Sequence, residues 1–487
     1  MRFAFRLFLP KQFIAILKIV SKTAGYRRYN LKQMKKLVLL AVLVLFSVQL
    51  SYAEKLYNRA PALLPHTSRE MKTAGFWISR HPSPDQVVLT PEEISAFNSQ
   101  IQSELKLTQD LKQFKTSSKE LIVSFNLLLD EFSKRGLFLE DGNKAKAAFF
   151  DEMKTNMSLE SLNTEINPQY GLIVHFADQL FFPTEKGLYA EAGDIDFDEL
   201  QNSDLDVGTP VIVLHKSKDG QWLYVQSEIS FGWVKADKVA ICTAEEFDEF
   251  VSAQGIIVRA KADIYLDVAL IDYYDYVRMG ARLPVSNVIK AAQLTITDIY
   301  CTLVTIPMRN EDGTAKLLAG YIKVSDINKG YLPYKARTII NQAFELLNEP
   351  YGWGGMYGEQ DCSRFLQEIF ATVGIFLPRD SKDQKKVGRF LAEFNEDTPS
   401  EKKLAVLAEA LGDITVLPMR GHIMLYLGMV DNRPYAIHAV WAYREKVGKE
   451  DHVRVINRVA VSDLFLGEGS KKGSLLQRLS SVKVIAK

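Results

Sequence analysis

Three residues near the C-terminal end have types and spacing suited to nucleophilic chemistry: Cys362, His422 and His438. A cysteine attacks as thiolate, and a free thiol titrates near about 8.5, so it needs help at neutral pH. A helix N-terminus and a neighbouring imidazole both supply such help. Cys362 precedes an apolar helical face, Phe365, Leu366, Ile369, Phe370 and Val373, that stops at Gly374. Asp361, or a residue just before it, can cap this helix and leave Cys362 in its first turn. His422 opens the run Gly421 to Gly428, and His438 lies in Ala436-Ile437-His438-Ala439. If these runs are adjacent antiparallel strands, joined through Val430-Asp431-Asn432-Arg433, the two imidazoles share a face. His422 is then base and acid, and His438 orients it. Taken singly, each has a plainer reading. A cysteine at a helix start, or a histidine on an apolar strand, is more often a core residue. The conjunction of all three within one segment favours catalysis.

The elements that must position them alternate helix and strand. Tyr334 to Leu347 reads as a helix ending at Glu349-Pro350, and a loop rich in glycine and aromatics follows, Tyr351-Gly352-Trp353-Gly354-Gly355. Such a loop lets backbone approach a ligand closely. After the cysteine helix and a further helical stretch come strand-like segments: Asp413 to Leu417, His422 to Val430, Tyr435 to Tyr443 and Val453 to Ile456.

Pro350 to Gly355, Asp361-Cys362-Ser363, and Gly374 to Ser381 with Gln384 together resemble the signature of the NlpC family of papain-like cysteine peptidases. Gly412-Asp413-Ile414 with Gly421 to Gly428 resembles the family's histidine strand, and Ile437-His438-Ala439 the strand of its third polar residue. The resemblance covers residues 331–460 and implies a papain-like α+β fold. It implies hydrolysis of the γ-D-glutamyl to diamino acid bond in peptidoglycan stem peptides, L-Ala-γ-D-Glu-diaminopimelate. By the same resemblance Cys362 forms the acyl-enzyme, His422 is base then acid, and His438 fixes its tautomer. Tyr351 matches a tyrosine supporting the oxyanion, and Asp361, Ser363, Asp380 and Ser381 match positions lining the L-Ala-γ-D-Glu pocket, with Asp361 suited to an ammonium group. Arg364 stands where family members usually have glycine. It is a candidate for a substrate carboxylate, with a surface role equally open.

Upstream, residues 166–242 and 243–330 each read as short strands sufficient for one small barrel. In the first, Asp219-Gly220-x-Trp222-x-x-Val225, then Gly232-Trp233-Val234, resembles bacterial SH3 domains; the second resembles them weakly. In the SH3-containing branch of the family the first barrel borders the pocket and closes it at a free N-terminal L-Ala, so Tyr224 or Trp222 is a candidate there. Residues 54–165 read as a helical, clamp-like domain. Thr90-Pro91-Glu92-Glu93 is a helix start; Leu121, Phe125, Leu128, Leu129 and Phe132 mark a second helix, and Gly75 to Arg80 reads as extended.

Residues 1–53 hold ten Lys/Arg and no Asp or Glu, which leaves 50 basic against 59 acidic residues in the remainder. An acidic chain has no long-range attraction to nucleic acid or anionic membrane. Met34-Lys35-Lys36, the apolar run Leu37 to Phe46 and Ser51-Tyr52-Ala53 describe a secretory signal behind an upstream extension. They point to Met34 rather than Met1 as the start, with an anchor as the alternative. The expected location is therefore the periplasm, the cell envelope or the medium, without stable membrane insertion once the signal is cleaved. Three cysteines make no disulfide scaffold, and Cys242 and Cys301 lie in apolar strand-like runs as core residues. No His-Glu-x-x-His pattern or clustered ligand spacing occurs, so neither metal nor cofactor is expected. The fold class is thus α+β and multi-domain: helical N-terminal segment, two SH3-like β-barrels, and a papain-like peptidase at 331–487. Two rival readings use the same residues: a wall-peptide binder that does not cut, and a papain-like amidase or acyltransferase. Oligomeric state is not legible.

Overall fold

The computed structural model describes residues 59–163, 166–293 and 298–486, with side chains described for all of these except 163 and 287–299. The basic start, the apolar run and Met34 lie outside the described residues. No described helix is long and apolar enough to cross a membrane.

The N-terminal helices do not build a core of their own. Pro91–Ser99 and Ser118–Lys134 both begin with capping boxes, Thr90 with Glu93 and Ser117 with Glu120. Gly75 to Arg80, expected as extended, instead contributes to a short helix, Ala74–Ile78. The Thr73 hydroxyl accepts from Phe76 N–H, and Trp77 is buried with its indole N–H donating to Met71 O at 2.8 Å. Local capping and one anchored aromatic outweigh the strand propensity of Phe-Trp-Ile. Met71, Trp77, Phe97 and Ile101 pack among Phe365, Ile369 and Phe370 of the C-terminal region. Leu121, Phe125, Leu129 and Phe132 pack instead on Ile212, Trp222 and Trp233 of the first β region.

That first region forms a seven-stranded antiparallel sheet among the described residues. Its strands are Gln169–Ile173 (β1), Ala177–Leu180 (β2), Gln201–Leu205 (β3), Pro210–Lys216 (β4), Trp222–Gln226 (β5), Phe231–Lys235 (β6) and Val239–Ile241 (β7), in the order β3-β2-β6-β5-β4-β1-β7. The β4–β5 turn uses Gly220 at φ 72°, where a side chain would be strained. The second region, residues 255–329, forms a five-stranded and a three-stranded sheet among the described residues. Its strands are Gly255–Ile257 (β8), Lys261–Tyr265 (β9), Tyr273–Arg278 (β10), Arg282–Leu283 (β11), Val285–Gln293 (β12), Asp298–Arg309 (β13), Ala315–Lys323 (β14) and Ile327–Lys329 (β15), and β10 carries Arg278 into the buried interior.

The C-terminal region sets the helices Ala336–Glu345 and Cys362–Ala371 against an antiparallel sheet. The sheet order is Arg389–Glu393 (β16), Ser481–Val484 (β21), Thr415–Met419 (β17), His422–Val430 (β18), Arg433–Val447 (β19) and Glu450–Asp463 (β20). β18 and β19 form a hairpin whose turn residues Asp431 and Asn432 have φ 49° and 60°. Two left-handed residues give a type I′ turn, whose twist matches the strands it joins. Among the described residues the molecule is α+β, with its β-rich modules ahead of this helix-and-sheet layer.

Candidate active site

Cys362 begins its helix, and Asp361 is the N-cap: its carboxylate accepts from the N–H groups of Ser363 at 3.0 Å and Arg364 at 2.8 Å. Arg379 grips both oxygens of the same carboxylate, at 2.8 and 3.2 Å, and takes the Ser363 hydroxyl at 3.0 Å. Burial works to raise the Asp361 carboxyl, but Arg379 and the capping bonds bring it below its ordinary value. Both oxygens are therefore committed before any substrate ammonium arrives.

Cys362 is 7% exposed. Burial and then the Asp361 carboxylate push its thiol up to about 12, against smaller lowering by Ile423 N–H, Arg379 and Ser363 N–H. Burial thus works against the thiolate that the helix start favours. Loss of water outweighs the helix dipole here. The Ile423 N–H that donates to the thiol is the neighbour of His422, so the histidine strand touches the cysteine directly.

His422 Nε2 lies 2.6 Å from His438 Nδ1, and His438 Nε2 lies 2.8 Å from the Ser462 hydroxyl. β19 and β20 set this up, pairing Ala436 with Ser462 and His438 with Ala460. With Nε2 of His422 used toward His438, only Nδ1 remains for a reacting proton. A lone pair there requires the Nε2–H tautomer, which donates to His438, whose own Nε2–H then donates to Ser462. Burial, then the positive charge of Arg478, lowers His422 to about 4, with Asp361 opposing. His438 is lowered further in the same direction, by burial and then by His422. Both imidazoles are neutral at pH 7.

Tyr351 lies beside the thiol. Burial first, then Cys362 and Asp361, hold its hydroxyl well above the ordinary value, so it stays a donor. Its ring faces Trp441 at 6.2 Å between centroids, and Phe197 of the first β region packs edge-on against both Trp441 and Trp353. The Trp353 indole donates to Asp198 O at 3.1 Å. Gly355, at φ +94°, lies so close to Asp204 that a Cβ would strike its carboxylate. A cavity of about 310 Å³ lies between this loop and the first β region, with Asp178, Gln201 and Trp222 on one side and Met356 and Tyr357 on the other.

The remaining expected residues are placed as follows. Ser363 is buried in the Asp361–Arg379 pair, and Ser381 begins the helix Ser381–Gln384. Asp380 is exposed and pairs with Lys382 at 3.1 Å. Tyr224 is away from this group: it is 4% exposed, stacked edge-on to Phe125 at 4.7 Å, and belongs to the core between the Ser118–Lys134 helix and the first sheet. The candidate pocket role for Tyr224 is corrected to packing, since it lies in that core while Trp222 lines the cavity beside the loop. Arg364 is likewise corrected. It is neither on the surface nor free for a substrate carboxylate, because it is buried on Asp206 at 2.9 Å and Glu368 at 3.2 Å. Arg278 from β10 completes this cluster, binding Asp204 and Asp206 through its whole guanidinium. Of the other cysteines, Cys301 is buried and Cys242 half-buried. Arg379, Ser462, Arg278, Asp204 and Asp206 were not found from the sequence. Only Arg379, inside Leu377-Pro378-Arg379-Asp380-Ser381, lay in a run already singled out.

Residues 348–452 match the model of the NlpC/P60 family, and residues 188–235 match an SH3 domain of the SH3b1 type. Among curated proteins, the bifunctional muramidase/DL-endopeptidase CwlT of Bacillus subtilis is 35% identical over 79 residues, 15% of this chain and 24% of that protein. The γ-D-glutamyl-L-lysine dipeptidyl-peptidase of Bacillus subtilis is 44% identical over 55 residues, 11% of this chain and 19% of that protein. The chain thus spans about a quarter or less of the curated relatives it matches. Among solved structures, an NlpC/P60 endopeptidase from Photobacterium damselae subsp. piscicida superposes with TM-score 0.68 at 19% identity, over 88% of this chain and 99% of that one. At that identity the likeness speaks for the fold.

Proposed function

We propose, starting from an NlpC/P60 domain that holds Cys362, His422 and His438 and is fronted by an SH3 domain, that this chain is a cysteine endopeptidase of bacterial cell-wall peptides. The bond cut is the γ-D-glutamyl to diamino acid bond of the stem, with preference for a free N-terminal L-Ala. The observation that carries this is the chain His422, His438, Ser462, in which each later member fixes the tautomer before it, on a strand whose Ile423 N–H reaches the Cys362 thiol.

His422 Nδ1 takes the thiol proton as sulfur attacks the γ-carbonyl, so S–H cleavage and C–S bond formation go together and the charge develops on the carbonyl oxygen. Tyr351 O–H donates to the resulting oxyanion. Collapse breaks the C–N bond, and His422 returns its proton to the departing amine. Water then attacks the thioester with His422 again as base, releasing the γ-D-glutamyl carboxylate and restoring the thiol. With Asp361 held by Arg379, the ammonium of L-Ala is matched to Asp178, on the solvent-accessible wall between barrel and loop. A free amino end there favours released stem peptides over stems still joined to sugar. The site of action is outside the cytoplasm, in the envelope or the medium, where such peptide occurs. A wall-peptide binder without chemistry is disfavoured, because binding alone gives no reason for the oriented pair of histidines.

The test is incubation with L-Ala-γ-D-Glu-meso-diaminopimelate and, separately, with whole sacculi, followed by mass spectrometry. L-Ala-γ-D-Glu and free diaminopimelate are expected, faster from the tripeptide. Absence of both products from either substrate would sink the proposal, and release from sacculi alone would sink the free-amine preference.

A further inference from the structure

Arg379 and Arg364, the arginines beside the start of the Cys362 helix, are both committed to carboxylates, Asp361 and Asp206. Arg478 differs. It ends the short helix Leu475–Arg478 and stays open to solvent. Among the described residues its guanidinium has neither an ion pair nor a hydrogen bond. Burial alone lowers it below its ordinary value, and no carboxylate opposes that.

Backbone pairing fixes where this guanidinium stands. Met419 of β17 lies opposite His422 of β18 on one side and bridges Leu479 on the other. Ser480 N–H donates to Pro418 O at 2.9 Å and secures the same register. Neighbouring strands lie about 4.8 Å apart, so the Leu479 backbone is roughly two spacings from that of His422. Arg478 is the residue before Leu479, with a side chain long enough to close much of that gap, and its charge acts on His422.

The proposed reaction puts a definite group on this side. His422 returns its proton to the departing amine, so the leaving amino acid lies against His422. The γ-D-glutamyl part runs the other way, to where Asp178 meets its amino end. A diamino acid that ends the stem bears an α-carboxylate, and diaminopimelate bears another at its far end. A guanidinium fits a carboxylate through two parallel N–H···O bonds, which an ammonium does not reproduce. We propose that Arg478 is a specificity-determining residue that binds a carboxylate of the leaving amino acid. This rests on the peptidase reading above and adds to it the residue that recognises the leaving side.

The test compares L-Ala-γ-D-Glu-meso-diaminopimelate, L-Ala-γ-D-Glu-L-Lys and the amide of the latter, whose leaving residues bear two, one and no carboxylates. The full chain and Arg478→Gln are assayed at pH 8, where imidazole is neutral with or without a nearby positive charge. Arg478→Gln should melt as the parent does and lose about tenfold in kcat/KM on the peptides whose carboxylate it reads. It should leave the amide unchanged. Loss on the diaminopimelate peptide alone assigns the contact to the side-chain carboxylate, and loss on both acids assigns it to the α-carboxylate. Arg478→Lys, which keeps the charge but not the fork, should fall between. Arg420→Gln removes an equal charge from the exposed turn between β17 and β18 and should change none of the three. Equal loss on all three peptides, no loss on any, or the same pattern from Arg420→Gln would overturn the proposal while the peptidase reading stands. Failure of the parent chain to cut any of them would overturn both.

Discussion

In the proposed reaction Cys362 and His422 both start uncharged, and this has a measurable signature. The lowered His422 has its base form above about 4 and loses it as pH falls through that value. The acid limb of kcat/KM is therefore expected near pH 4 rather than at the ordinary imidazole value of about 6.5. A limb at 6 to 7, measured on the tripeptide, would mean the histidine is not so desolvated. Cys362→Ala should remove cleavage with an unchanged melting curve. Ser462→Ala should lower kcat roughly tenfold with little change in KM, since it loosens only the end of the tautomer chain. Asp178→Asn should raise KM for the tripeptide but not for its N-acetylated form, which lacks the ammonium. At this scale the two histidines and the cysteine were legible because their types are rare and their spacing implies a hairpin. Ser462 was not, because a serine on a strand acquires meaning only from the register that puts it opposite Ala436. Asp361 was read correctly as a cap, yet its commitment to Arg379, eighteen positions on, depends on how the intervening helix turns back.

Elements carry the next set of constraints. The helix starts and the β18–β19 turn were legible because capping and turn chemistry are local. The Ala74–Ile78 helix was misread because its apolar run Phe-Trp-Ile fits either state and tertiary burial of Trp77 decided it. Arg364 was read as a groove or surface residue because nothing local announces the carboxylates of Asp204 and Asp206, some 160 positions away. Arg278→Met should destabilise the molecule by about 3–5 kcal/mol, because it strands two buried carboxylates. Denaturant unfolding would measure this. Gly355→Ala should displace the loop from Asp204 and cut kcat/KM while leaving the Cys362 helix folded.

In the whole molecule, the N-terminal segment is divided between two partners: its first part joins the core behind the Cys362 helix and its second the first β region. Asn98 shows the join at atomic scale, donating to Gly374 O at 2.7 Å and accepting from Phe376 N at 3.1 Å. Residues 331–487 expressed alone should therefore lack a stable fold, exposing Phe365 and Phe370 and leaving Arg364 without Asp206; dye binding and proteolysis would show it. Composition and pattern suggested separate modules, and sequence alone could not show that they share cores. Within the catalytic sheet, β21 lies between β16 and β17, and Tyr334 donates to Ile485 O at 2.6 Å. The strand that comes after all the others in the sequence thus sits inside the sheet, not at its edge. A ribosome delivers it after every residue of the reaction chain has been made, and Trp77 and Phe97 must wait for the core it closes. Timing is thereby built into the topology: a chain that stops before Ser481 holds the whole set Cys362, His422, His438 and Ser462 but lacks the strand that joins β16 to β17.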